Sequence, residues 1–172
     1  RSGEWRKDIP DTAKCYYRLY KFGDMDRLIA AYESMLREYG SMKEYVRSHA
    51  STGIEAVSAI CRYFAEHDAS TVVPRNTQSA CKRVCMFLRW MVRSGSPVDL
   101  GLWADIIDRR TLIMPLDTHV VQEALRLGLL KSRTASMATA RRLTDAMLEV
   151  FPDDPLRGDF ALFGLGVDED SK

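Results

Sequence analysis

The chain has 172 residues, 46% of them hydrophobic and 28% charged, a balance that fits one globular domain and excludes a wholly disordered chain. No apolar run is long enough for a helical membrane span. The net charge of +1 conceals a pattern: residues 1–74 carry 11 basic and 11 acidic groups, residues 75–142 carry 12 and 5, and residues 143–172 carry 2 and 8.

The periodicity predicts helices throughout. Met25, Leu28, Ile29, Tyr32, Met35 and Leu36 repeat at the helical period from Asp24 to Tyr39, and Gly40 stops that helix. Ser41 with Glu44 reads as a capping box opening a short helix from Met42 to about His49. Thr52 with Glu55 opens another, to about His67. Residues 69–78 read as a loop, broken by Pro74. The next helix spans Ser79 to Arg93, with Ala80, Val84, Phe87, Leu88 and Met91 as its buried stripe. Gly95, Pro97 and Asp99 close it and start a short helix from Leu100 to about Ile106. An apolar segment, Leu112 to Leu116, leads to Asp117. Helices are then predicted from Thr118 to Leu127 (stopped by Gly128), from Thr134 to about Val150, and from Leu156 to Leu165, with residues 167–172 as a flexible tail. The whole is one all-α domain over residues 1–166, in three parts: N-terminal helices in 1–74, a candidate catalytic segment in 75–130 and C-terminal helices in 131–166.

Few residues stand out chemically. Cys15, Cys61, Cys81 and Cys85 have no paired CxxC spacing, so no metal site or iron–sulfur cluster is expected, and free thiols in a reducing compartment are. The chain opens Arg1-Ser2-Gly3-Glu4 with no apolar signal core, so a cytoplasmic protein is expected; the missing Met reads as a start that is processed, trimmed or engineered. Lys82 lies on a ridge with Met86, Arg89 and Arg93, opposite the apolar stripe. That ridge is either a solvated face or a functional one. A helix N-terminus and the adjacent Arg83 both disfavour an ammonium at Lys82, and a neutral amine is a nucleophile. Asp117 is either the N-cap of its helix or an anchored anion able to stabilise a developing cation. His119, Trp90, Trp103 and Phe160 read as structural. A basic middle third suits a phosphate-bearing partner, or forms a solvated face beside an acidic tail.

The segments SACKRVCMFLRWMVR, MPLDTHVVQEALRLGLL and DDPLRGDFALFGLG resemble an uncharacterised bacterial family of unknown function. That family is itself similar to the helix-hairpin-helix DNA glycosylases, in particular the oxoguanine glycosylase and AP-lyase branch. Lys82, Phe87, Leu88 and Arg89 fill the branch's K-x-x-x-x-F-L-R pattern, and Leu116-Asp117-Thr118-His119 fills its aspartate motif. The interval between the motifs is longer here, with Pro97 to Arg110 as an insertion. Residues 74–78, where the hairpin would lie, contain no glycine.

The resemblance implies an orthogonal helical bundle of the glycosylase type, lacking some N-terminal helices. It implies an enzyme of base excision repair acting on oxidised purines in damaged duplex DNA. Lys82 and Asp117 are its catalytic residues, Met86 lines the base pocket, and no cofactor is needed. Arg83, Arg89 and Arg93 are the expected phosphate contacts, with Arg109, Arg110, Arg141 and Arg142 behind them. Two other readings stand beside this one: a helical nucleic-acid-binding module without the chemistry, and a protein-interaction domain.

Overall fold

A computed structural model describes Lys7 and residues 13–170. It is mostly helical. A small antiparallel pair, β1 (Cys15–Tyr17) and β2 (Tyr20–Lys21), precedes seven α-helices among the described residues. These are α1 (Phe22–Tyr39), α2 (Met42–His49), α3 (Gly53–Glu66), α4 (Lys82–Val92), α5 (Thr118–Arg126), α6 (Met137–Val150) and α7 (Arg157–Asp170).

The helix starts follow local chemistry. The Thr52 hydroxyl accepts from the Glu55 N–H while the Glu55 carboxylate accepts from the Thr52 N–H, so two orphan donors at the start of α3 are satisfied reciprocally. Ser41, Asp117 and Ser136 each cap their helix with a side-chain oxygen. Gly40 and Gly128 sit at positive φ after α1 and α5, where a Cβ would be strained. The N-terminus of α3 comes so close to the 3₁₀ turn Arg109–Thr111 that a Cβ at Gly53 would run into the Thr111 carbonyl. In exchange the Gly53 N–H donates to Thr111 Oγ1 at 2.8 Å.

Several expectations need correcting. The β-pair was not foreseen: Tyr16, Tyr17 and Leu19 are exposed, so no buried face gave it an alternating pattern. α4 begins at Lys82 rather than Ser79, because Ala80 donates to the Ala135 carbonyl and Cys81 takes a left-handed φ of 48°. Residues 100–106 form successive turns instead of a helix. Their backbone bonds go to α4: Leu100 and Trp103 donate to the Trp90 and Met91 carbonyls. α6 starts at Met137, three residues later than expected, with Ser136 as its cap. α7 extends to Asp170, through most of the stretch read as a tail, and residues 171–172 lie outside the described residues.

One core runs through the molecule. Met35, Val46, Val57 and Ile60 from α1–α3 join Val84, Leu88 and Val92 from α4. Ile107, Leu112, Met114 and Leu116 cross it as an irregular buried strand of chain, and Val120, Leu143 and Leu156 close it. The buried backbone of such a crossing segment needs partners outside any helix or sheet; Met114 N–H donates to Thr144 Oγ1 at 3.0 Å. α5 packs along α7.

The polar ridge of α4 is the main surprise. Arg89 is only 1% exposed, and its guanidinium donates to Asp159 and stands 3.5 Å from Asp99 Oδ1. Arg93 is also buried and holds Asp154 through Nε and Nη2 and Asp99 through Nη1. Two guanidinium groups thus sit among three carboxylates inside the protein. Asp154 and Asp159 come from the acidic C-terminal part of the chain, so two of its eight acidic groups are neutralised internally by two arginines of the basic middle third.

Removing one partner from such a network leaves buried carboxylates uncompensated, which costs about 3–5 kcal/mol. Arg93→Ala is therefore expected to lower unfolding free energy by about that amount in urea titrations, far more than a surface arginine would.

Candidate functional site

Lys82 is the first residue of α4 and Asp117 the N-cap of α5. The chain between them folds back so that Lys82 Nζ donates to Asp117 Oδ2 at 3.1 Å. Asp117 uses its other oxygen, Oδ1, to accept from the Val120 N–H at 2.8 Å. One carboxylate therefore does both jobs that the sequence left as alternatives: it caps a helix and faces an amine. The cap bond fixes its rotamer, so the free oxygen is aimed rather than floating.

The two groups differ in exposure. The Lys82 side chain is 47% accessible and that of Asp117 18%. A nucleophile at the surface beside an anchored, half-sheltered anion is a geometry from which an amine can attack an electrophilic carbon while the carboxylate stabilises positive charge. Clefts of about 480 and 410 Å³ lie elsewhere: the first is lined by residues such as Ala104 to Arg109, the second by Leu129 to Ser132, Thr139 and Arg142.

The remaining sequence candidates separate clearly. Arg83 is exposed, with its guanidinium 5.2 Å from the Tyr20 ring and 3.3 Å from the Val72 carbonyl. Arg89 and Arg93 are withdrawn as phosphate contacts, because both guanidinium groups are buried against carboxylates and cannot reach a ligand on the surface. Met86 is partly exposed one turn after Lys82. Arg110 is engaged by Asp108 and Arg109 by the Asp153 carbonyl, whereas Arg141 and Arg142 lie exposed on α6. Trp103 is buried as expected; Trp90 is 40% exposed.

Two residues of α7 were missed. Phe160, read as core, is 53% exposed and lays its ring over the Arg89 guanidinium, 4.0 Å from ring centroid to Cζ. Asp159 is buried. Burial pushes its carboxyl up to about 6; Arg89 opposes this, the Asp117 charge adds to it, and Arg93 and Lys82 oppose it. Asp159 therefore lies within electrostatic reach of the Lys82–Asp117 pair. No local motif marks either residue. The only sequence signal was the excess of acid after residue 143.

The thiols beside the site are free and, apart from exposed Cys15, buried. Cys81 Sγ lies 3.9 Å from Cys61 Sγ. The Cys61 contact, with help from Ser79, brings the Cys81 thiol down to about 7, and burial pushes Cys85 up to about 12. Among the described residues no group of three or more His, Cys, Asp or Glu side chains is placed to hold a metal ion, and no helix is long and apolar enough to cross a membrane.

The model of a family described as "Protein of unknown function (DUF2400)" matches residues 2–168, and the chain belongs to that family. No curated protein and no solved structure matches it.

The raised Asp159 carboxyl has a defined sign. A group that binds its proton more tightly folded than unfolded adds stability as pH falls from about 6 toward its ordinary value of 3.8. Asp159→Asn is expected to flatten that part of the curve of unfolding free energy against pH, relative to the parent chain measured in parallel.

Proposed function

We propose that this DUF2400 member is a DNA glycosylase with AP-lyase activity, acting on an oxidised purine in damaged duplex DNA, on a bundle of the helix-hairpin-helix glycosylase type. The observation that supports the reading is the 3.1 Å contact between an exposed amine and a capped carboxylate brought together from distant parts of the chain. These are the two groups the motif resemblance singles out.

In this reading the pair opens when a flipped nucleotide enters. Once the pair has separated and the Lys82 ammonium has given up a proton to water, its amine attacks the deoxyribose C1′. The bond from C1′ to the base nitrogen breaks and its electrons leave with the base. Asp117 stabilises the positive charge that builds on the sugar. A proton then passes from the Lys82 nitrogen to O4′ as the C1′–O4′ bond breaks, leaving an iminium between C1′ and Lys82; a proton leaves C2′, and the 3′ phosphate departs with the electrons of the C3′–O bond. Met86 and the exposed ring of Phe160 offer apolar surface for the base, and Arg83, Arg141 and Arg142 are available to phosphates.

Borohydride reduces the iminium to a stable link, so the parent chain should become covalently attached to an oligonucleotide carrying an oxidised purine. Lys82→Gln is expected to abolish trapping while leaving DNA affinity within a few-fold. Asp117→Asn retains an N-capping side chain and is expected to slow base release by at least about two orders of magnitude. Trapping by Lys82→Gln would overturn the assignment. Salt-sensitive binding without any adduct would leave a DNA-binding module that lacks the chemistry.

A further inference from the structure

The β1–β2 hairpin presents an exposed apolar tip, with the Arg18 guanidinium lying over the Tyr17 ring, 5.3 Å from its centroid. Its two-residue turn is Arg18-Leu19. Leu19 is 92% exposed, and Tyr16 and Tyr17 are each more than half exposed. A large apolar side chain at the tip of a hairpin gains nothing in the folded monomer. Arg18 holds a left-handed φ of 53°, a conformation that hairpin turns normally give to Gly or Asn and that strains an arginine. A residue kept where it is strained, beside one kept where it is unburied, points to a requirement for those side chains outside the fold.

The tip is held in place, although two short strands alone are marginal. Phe22 N–H donates to the Lys14 carbonyl at 3.0 Å. Tyr16 packs its ring edge to face against Phe22, centroids 5.2 Å apart. Arg83 lies over Tyr20. That last contact joins the hairpin to α4 at the residue directly after Lys82, so the tip stands at a fixed position relative to the candidate site.

The chemistry of the tip selects its partner. Lys14, Arg18 and Lys21 are interleaved with Tyr16, Tyr17, Leu19 and Tyr20, and no acidic residue occurs from 13 to 23. Cations set among flat and apolar side chains offer both partners that a nucleic-acid strand needs, one for phosphates and one for bases. We propose that the Tyr17–Tyr20 tip is a nucleic-acid contact: Lys14, Arg18 and Lys21 hold phosphates, while Tyr17 and Leu19 pack against bases unstacked at a damaged or missing position. This rests on the nucleic-acid part of the function proposed above, and not on its lysine chemistry.

The test is binding of the full chain to a fluorescent duplex containing a stable abasic analogue, measured by anisotropy across a salt series. Tyr17→Ala with Leu19→Ala is expected to weaken binding roughly ten-fold or more, the scale of lost base stacking, with the salt slope unchanged. Arg18→Ala is expected to reduce the slope by about one phosphate contact. Thermal unfolding of each variant checks that the fold is retained. Parent-like binding by these variants would overturn the hairpin contact and leave the Lys82–Asp117 reading standing. Failure of the parent chain to bind any duplex would overturn both. Co-sedimentation with phosphatidylserine vesicles that is lost on Leu19→Ala, with DNA binding unaltered, would assign the tip to a membrane surface and overturn the proposal.

Discussion

Three cations along one side of α4 each meet carboxylates that the chain delivers later. Lys82 meets Asp117, Arg89 meets Asp159 and Asp99, and Arg93 meets Asp99 and Asp154. Everything from the 95–108 turns to α7 is docked around this row. The two inner arginines are buried and the lysine is at the rim, so burial falls along the helix toward its N-terminus. That gradient separates roles: the dry end fastens the C-terminal helix to the bundle, and the wet end leaves an amine and a carboxylate accessible.

Buried ion pairs are a costly way to join two helices, since desolvation offsets most of the attraction. Here their geometry does something a greasy contact would not. The bidentate grip of Arg93 on Asp154 and the Arg89–Asp159 contact tie the turn before α7 and its first helical turn to α4, and so set their register, while α7 itself packs along α5. That register sets Phe160 over the guanidinium, with its outer face open. It also sets Asp159, a carboxyl that burial pushes up to about 6, within electrostatic reach of the Lys82–Asp117 pair. With three carboxylates to two guanidinium groups, the network carries one surplus negative charge unless Asp159 holds a proton, in keeping with its raised value.

Much of this was legible beforehand, and what was not has physical reasons. Capping chemistry is local, so the Ser41 and Thr52 starts, the Asp117 cap and the Gly40 and Gly128 stops could be read from neighbours in sequence. Residues 79–81 looked helical because Ala80 continues the apolar stripe, but a tertiary bond to Ala135 takes the backbone elsewhere. Residues 100–106 carried a helical pattern of Leu and Trp whose backbone groups are claimed by α4. The ridge of Arg89 and Arg93 read as a solvated face or a phosphate-binding one, because charge normally faces water; its carboxylate partners lie from 6 to 70 residues away, beyond any local pattern. For the site itself, Lys82 and Asp117 were named from their places at helix starts and from the motif resemblance. Phe160 was misread because an exposed aromatic and a buried one look alike in a sequence.

The central claim is that Lys82 Nζ, steadied opposite Asp117, is a nucleophile toward a damaged nucleotide. The most direct measurement is mass-spectrometric mapping of the adduct formed when the chain is mixed with an oxidised-purine duplex and reduced with borohydride. The account predicts a single modified lysine, Lys82. No adduct, or an adduct on Lys131 or any other lysine, would contradict it.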